Sequence, residues 1–491
     1  MTPHRLSRRI DDVLHLEPNA PALEYDRQWS SWGQVDSLAA RISDLVGDGQ
    51  PQVGIMLRNR PAHVASLLGV LRRGATVVVI NPARGAERIR ADVDQLALPM
   101  IIAEPGDLTT LGEQVATTLV SISDLDGEPN VTEAVEDRAA QTRSGTAVRM
   151  LTSGTTGPPK RVDLSYDMLA HSALGPEVNP DSTPAEVRRG VAIVNSPLVH
   201  IGGVFRILQC VAEARPFVLL ERFELDRWAE AVRAHRPRAV SLVPTALRMV
   251  LHSNLSREDL SGIRAVTSGT APLSPDDSDA FTEKFGIPVL TSYAATEFGG
   301  GVASWTLPDY RDHWRAKRGS VGRANPGAQL RIVDDDGVPV GPDHIGLLEV
   351  KPAQLGPSAD WMRTTDVGRI DADGFLWIVG RADQAIIRGG FKVLPDDVRA
   401  AVESHPAVAG AAVVGRPDAR LGETPVAMVE FRAGQSASAD EIIEYLRNRL
   451  ARYEIPTGVE IVEEIPRTPS GKPDLTAVRR HFDHSMSRHA E

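Results

Sequence analysis

Cysteine is nearly missing from this chain: Cys210 is the single one among 491 residues. One thiol excludes an internal disulfide, and Cys–His metal spacings are absent too, so a reducing cytoplasm is the expected setting. Cys210 lies in the apolar run Phe205-Arg206-Ile207-Leu208-Gln209-Cys210-Val211, which suits a buried structural thiol better than a nucleophile. No run of about 18 apolar residues occurs, and no apolar segment follows Arg5, Arg8 and Arg9, so neither a membrane span nor a signal peptide is expected. Positive charge is not in excess either. Against 65 Asp and Glu stand 54 Lys and Arg, a net charge of −11. That balance argues against a general nucleic-acid or anionic-membrane binder and still allows a local basic nucleotide pocket. Low-complexity tracts and exact short-period repeats are also lacking.

What is present starts with length, which exceeds one small core and suggests two to four domains. From about residue 52, Val/Ile-rich runs alternate with helix-length segments: Val53-Gly54-Ile55-Met56-Leu57, then a helical stretch over 62–71, then Thr76-Val77-Val78-Val79-Ile80. The rhythm predicts βαβ units, a largely parallel sheet and the α/β class. It returns with strand candidates at 191–194, 217–220, 239–243 and 263–266, so two related sheet-bearing subdomains are expected before residue 300. Between roughly residues 320 and 379 the signal changes to hairpins around Asp336-Gly337 and Asp373-Gly374, which predicts a small antiparallel β-barrel or sheet. After Gly380-Arg381-Ala382-Asp383 comes a piece of about a hundred residues, long enough for a small, mobile α+β domain. The expected division is 1–382 and 383–491.

The stretch Leu151-Thr152-Ser153-Gly154-Thr155-Thr156-Gly157-Pro158-Pro159-Lys160 follows the strand-like 147–151. Gly154 and Gly157 permit close backbone approach, the hydroxyls of Thr152, Ser153, Thr155 and Thr156 can donate to an anion, and Lys160 adds a cation. A Ser/Gly/Thr-rich linker would have the same composition. The spacing is not that of a Walker loop.

Other small-residue segments also follow strands. His200 closes Pro197-Leu198-Val199-His200 at a strand end, where open α/β sheets keep ligands, although a lone histidine is more often structural. Gly269, Thr270, Ala271 and Pro272 could let a flat base approach the backbone, or form a plain turn. Ser292, Tyr293, Ala294, Ala295, Thr296 and Glu297 combine an aromatic face, a hydroxyl for a phosphate oxygen and a carboxylate suited to magnesium. Asp366 and Arg381 offer a ribose an acceptor and a permanent cation. Gly389 and Gly390 turn a hairpin within Ile386-Ile387-Arg388-Gly389-Gly390-Phe391-Lys392-Val393. Lys472 sits on a glycine-hinged loop, Arg467-Thr468-Pro469-Ser470-Gly471-Lys472.

Taken in order, these segments resemble the adenylate-forming superfamily of acyl-CoA synthetases, peptide-synthetase adenylation domains and beetle luciferases, over nearly the whole chain. The resemblance implies that 152–157 and Lys160 cradle phosphates, 269–272 lie against adenine, Tyr293 stacks on the base, Glu297 holds Mg2+ and His200 lies beside the carboxylate being activated. It implies that Lys472 reaches the substrate carboxylate and α-phosphate, that Asp383 is a hinge, and that the 386–393 hairpin lines the pantetheine tunnel, with Arg388 and Lys392 near coenzyme phosphates. The implied activity is ATP-dependent activation of a carboxylic acid followed by thioester formation with coenzyme A. A free-standing enzyme loading a carrier's phosphopantetheine, a luciferase-type oxygenase and a nucleotide-binding regulator are the alternatives. The segment around His200 lacks the aspartate that meets a substrate ammonium, which favours a simple carboxylic acid. Ala294 and Thr365 stand where such proteins usually have glycine, as does Arg161, and Gln384 replaces a frequent acid. Gly299-Gly300-Gly301 is expected to leave room near the acyl site. A homodimer is compatible with this reading.

Overall fold

Strands that read as unbroken apolar runs are buried from end to end. Gln52–Met56 and Thr76–Ile80 have no exposed residue and run parallel, Val53 opposite Val77 and Ile55 opposite Val79. Between them the helix Pro61–Arg72 starts on a proline, where a missing N–H costs nothing, and buries every residue from Ala62 to Leu71. A strand covered on both faces gains from apolar side chains at every position, which is why no alternation shows. The computed structural model describes residues 3–111, 117–132, 145–151, 160–175, 184–389, 391–418, 420–468 and 471–487.

These two strands centre a seven-stranded sheet in the order Asn130–Thr132, Thr118–Ser121, Met100–Ala103, Gln52–Met56, Thr76–Ile80, Thr146–Leu151, Arg161–Ser165. In a second sheet Ala239–Ser241, Ala265–Ser268 and Val289–Ala295 run parallel, then Gly300–Ser304 and Arg323–Ala324 continue antiparallel. A four-stranded sheet joins Ala192–Val194 and Phe217–Leu219 to the N-terminal hairpin Pro21–Tyr25 and Gln28–Ser31, with Leu23 opposite Phe217. The hairpin region forms a linear antiparallel meander, Gln329–Val333, Gly346–Lys351, Met362–Ile370 and Leu376–Arg381. An isolated bridge between Arg323 and Phe375 ties it to the second sheet.

After residue 385 the chain builds cores of its own. Ile386, Val393, Val398, Val413 and Leu446 share one cluster, and Val414, Met428, Val478 and Phe482 another. Their frame is the sheet Phe391–Val393, Ile386–Arg388, Gly422–Phe431, Val408–Asp418, with Val459–Val462 parallel to Gly422–Phe431. The helix Ala439–Arg447 opens on a reciprocal cap between Ser438 and Glu441. The architecture is therefore α/β, a large N-terminal part with a small C-terminal one. Cys210 is buried in the helix Ile201–Ala212, and burial pushes its thiol up to about 12, so it stays protonated. Among the described residues, no helix is long and apolar enough to cross a membrane.

Candidate active site

Parallel pairing decides which loops meet. Ser268 is opposite Thr291, so the segments after Ala265–Ser268 and along Val289–Ala295 emerge at the same sheet end. A side chain at Gly269 would place Cβ 2.8 Å from Ser292 Oγ, so the two candidate adenine segments touch. Thr270 has φ +70°, a left-handed conformation that costs a β-branched residue about 1–3 kcal/mol and is held by its surroundings. Ala271 and Pro272 follow before the helix Pro275–Phe285.

Val289–Ala295 buries Val289 and Leu290 and then leaves the core. The 3-10 turn Thr296–Phe298 is anchored by buried Phe298 and closed by Gly299 at φ +68°, leaving Glu297 exposed at the tip. Ala295 pairs with Gly300 as the chain returns. Tyr293 packs one side against Phe298, ring centroids 5.9 Å apart, and its hydroxyl donates to Asp366 Oδ2. Burial raises the Tyr293 pKa and the Asp366 charge adds to that, so the phenol remains a donor.

Asp366 stands opposite Arg381 in adjacent antiparallel strands. Thr364 fixes the turn into it, its Oγ1 donating to Leu348 O at 2.8 Å and accepting from Asp366 N at 3.0 Å. Burial raises the Asp366 pKa, while the Tyr293 hydrogen bond and the Arg381 charge oppose that rise. Arg381 donates Nε and Nη2 to both oxygens of Asp383, at 2.9 and 2.7 Å. The candidate ribose cation is thus tied to the candidate hinge carboxylate.

His200 is the N-cap of Ile201–Ala212. Its approach is set by buried Asn59, whose Nδ2 donates to Ser196 O at 2.9 Å and Leu220 O at 3.0 Å and whose Oδ1 accepts from Leu198 N at 2.7 Å. Nothing in the sequence around Asn59 signals this role. His200 Nε2 is buried without a hydrogen-bond partner among the described residues. Burial lowers its pKa and the Lys472 charge lowers it further, so the imidazole is neutral at pH about 7.

Lys472 enters from the small domain. Its loop is a tight return in which Thr468 N donates to Lys472 O at 2.7 Å and Gly471 turns at φ +79°. Arg467 pins the root to Glu430 at 2.7 Å. Burial lowers the Lys472 pKa, the charge of Arg381 adds to that, and Asp366 and Glu297 pull it back. These are the groups around the ammonium. The fold therefore brings Lys472 within electrostatic reach of His200, Glu297, Asp366 and Arg381, from five separated stretches of chain.

Several other expectations fare differently. Thr152, Ser153, Gly154, Thr155, Thr156, Gly157 and Gly390 lie outside the described residues, and Lys160 is exposed just before Arg161–Ser165. Arg161 braces the sheet, donating to Asp92 at 2.5 Å and Val79 O at 3.2 Å. Gly389 turns the expected hairpin at φ +57°. Arg388 Nη1 donates to the carbonyls of Tyr453 at 2.8 Å and Ile455 at 3.0 Å, and its approach to coenzyme phosphates stays an expectation of the resemblance. Beside Gly299 and Gly300 the space is already occupied. Added Cβ atoms would lie 2.7 Å from Met168 Cε at Gly299 and 2.7 Å from Ser172 Oγ at Gly300, because neighbouring side chains already fill the space.

Among the described residues, no group of three or more His, Cys, Asp or Glu could enclose a metal ion. A lone exposed carboxylate such as Glu297 suits magnesium shared with substrate phosphates, which is how that ion is usually held.

The architecture is that of an adenylate-forming enzyme. At TM-score 0.78 and 25% identity it matches o-succinylbenzoate CoA synthetase of Bacillus subtilis in complex with its acyl-adenylate intermediate, over 97% of this chain and 98% of that one. The chain belongs to the AMP-binding enzyme family, whose description matches residues 10–357, with the AMP-binding enzyme C-terminal domain matching 397–472. It is 30% identical to an indoleacetate–CoA ligase of Aromatoleum aromaticum over 97% of this chain and 98% of that protein. It is 29% identical to 4-coumarate–CoA ligase 1 of Oryza sativa subsp. japonica over 92% of this chain and 88% of that protein.

Proposed function

We propose that this chain is an ATP-dependent acid–thiol ligase that converts a carboxylic acid to an acyl-adenylate with release of pyrophosphate, and then to a coenzyme A thioester. The observation that carries the residue roles is the position of Lys472, half-buried within electrostatic reach of Glu297, Asp366 and Arg381 with its charge felt by His200. Its relatives act on indoleacetate and 4-coumarate, so aromatic carboxylic acids are the first substrate class to test. No aspartate occupies residues 197–203 to meet an ammonium, which favours acids without an α-amino group.

In the first half-reaction a carboxylate oxygen attacks the α-phosphorus of ATP, and the bond from that phosphorus to pyrophosphate breaks. Two anions must approach, so catalysis rests on fixed cations and orientation. Lys472 supplies a partly desolvated charge, which acts more strongly than one fully in solvent. Neutral His200 presents its unpartnered Nε2 toward the reacting carboxyl without adding a competing charge. Asp366, steadied by Tyr293 and Thr364, holds the ribose hydroxyls, and the 269–272 and 292–296 segments hold adenine. Magnesium would be held by Glu297 together with phosphate oxygens and, when bound, neutralises phosphate charge.

In the second half-reaction the coenzyme sulfur attacks the acyl carbon and AMP leaves. That path requires Lys472 to withdraw, and we place the pivot at Asp383, between domains 1–382 and 383–491. The test is pyrophosphate release across a panel of carboxylic acids, followed by product analysis with free coenzyme A. Acid-dependent release and a thioester are expected; no release with any acid would remove the proposal, and release without a thioester would remove its second half.

A further inference from the structure

One part of the boundary between the small domain and the large one is a short helix. Pro244–Leu251 buries Ala246, Leu247, Val250 and Leu251 and turns Thr245 and Arg248, three residues apart and on one face, toward the small domain. Thr245 Oγ1 donates to Gly471 O at 3.5 Å, the carbonyl next to Lys472, and Arg248 Nη2 reaches Glu403 Oε2 at 3.4 Å. We propose that Thr245 and Arg248 are positioning residues for Lys472, forming a releasable dock that sets the adenylation orientation of the small domain. This deepens the proposed function and rests on it.

The charges are arranged for release. Arg248 also donates to Asp277 at 2.7 Å within its own domain, and Glu403 accepts from Arg399 at 2.8 Å within its own. When the domains part, each charge keeps its stronger partner, so no buried ion is left unpaired, the usual cost of breaking such a contact. Beside the pair the seam holds a cavity of about 280 Å³ lined by His252 and Asp277 on one side and His405 and Arg432 on the other. A polar, incompletely filled seam is the kind along which domains move, unlike an apolar one. Thr245 and Arg248 share one rigid helix, so the contact at Glu403 and the depth of the lysine loop are set together. The contacts act on the small domain and on the residue next to Lys472, so their effect should be confined to the half-reaction that uses Lys472.

The experiment compares the full-length chain with Arg248→Gln, Glu403→Gln, the double variant and Thr245→Val. It measures acid-dependent ATP–pyrophosphate exchange and, separately, thioester formation from supplied acyl-adenylate and coenzyme A. Each single variant is expected to lower the exchange kcat by about three- to tenfold, the effect of losing one partly exposed ion pair or hydrogen bond. The double variant should be no worse than the weaker single, and thioester formation should be unchanged or faster. Additive losses, equal losses in both half-reactions, or unchanged exchange would overturn the proposal. Lys472→Ala separates the two layers. If it leaves exchange intact, the functional reading fails; if it abolishes exchange while Arg248→Gln and Thr245→Val do nothing, only the dock fails.

Discussion

The Tyr293 hydroxyl donates to the Asp366 carboxylate, joining the strand Val289–Ala295 to the strand Met362–Ile370 of the antiparallel meander. Two sheets that share no ladder are thereby fixed at the place where the ribose is proposed to bind. The bond also holds a charge: burial alone raises the Asp366 pKa, and the phenol opposes it.

Tyr293→Phe removes that opposition, so the Asp366 pKa rises further and its ionised form is lost at a higher pH as acid is added. The KM for ATP should increase by about tenfold, the scale of one hydrogen bond to a charged group. The acid limb of pyrophosphate exchange should move to higher pH. An unchanged profile would mean that the hydroxyl does not govern Asp366.

Lys472→Ala should nearly abolish acid-dependent pyrophosphate exchange while leaving conversion of supplied acyl-adenylate to thioester much less affected. Equal loss in both half-reactions would refute this division of labour.

The His200 pKa is lowered first by burial and then by the Lys472 charge. In Lys472→Met it should rise, because the repelling cation is gone, yet stay below the ordinary histidine value because burial persists. Histidine ring NMR across a pH titration reads this directly. A return to the ordinary value would assign the whole shift to Lys472.

Asp383→Pro restrains the backbone at the proposed pivot and frees Arg381 from its bidentate partner. Thioester formation should fall more than pyrophosphate exchange, measured on the same preparation. An unchanged overall rate would count against rotation there.

Gly203→Ala would set Cβ 2.2 Å from Pro197 O, a backbone atom that cannot swing aside, whereas the same change at Gly202 meets nothing within 4 Å. Gly203→Ala should cost about 1–3 kcal/mol, seen as a lower urea midpoint, and reduce adenylation by displacing His200. Gly202→Ala should leave the midpoint almost unchanged.

Much of the architecture is legible in the order of residues. The runs at 53–57 and 76–80 announce buried parallel strands because a strand covered on both faces is apolar throughout, and Asp336-Gly337 announces its hairpin because few residues suit that turn. Glu297 and Lys472 are proposed from the small residues flanking them. Asn59, Thr245 and Arg248 are not, since an asparagine after a strand and two polar residues on a short helix look the same with or without a partner across space. Gly299 and Gly300 are ambiguous for a related reason: a missing side chain signals a close approach without saying whether a ligand or Met168 and Ser172 make it.

By itself, the amino-acid order determined the α/β alternation, the change to hairpins, the separate C-terminal core and the loops proposed to carry chemistry, all of which depend on neighbours within a few residues. Only the tertiary structure decided that Leu23 pairs beside Phe217, that Tyr293 turns its hydroxyl to Asp366, and that Thr245 meets Gly471 while Arg248 meets Glu403. Those contacts join residues far apart in the chain, and they exist only once packing has set the distances between them.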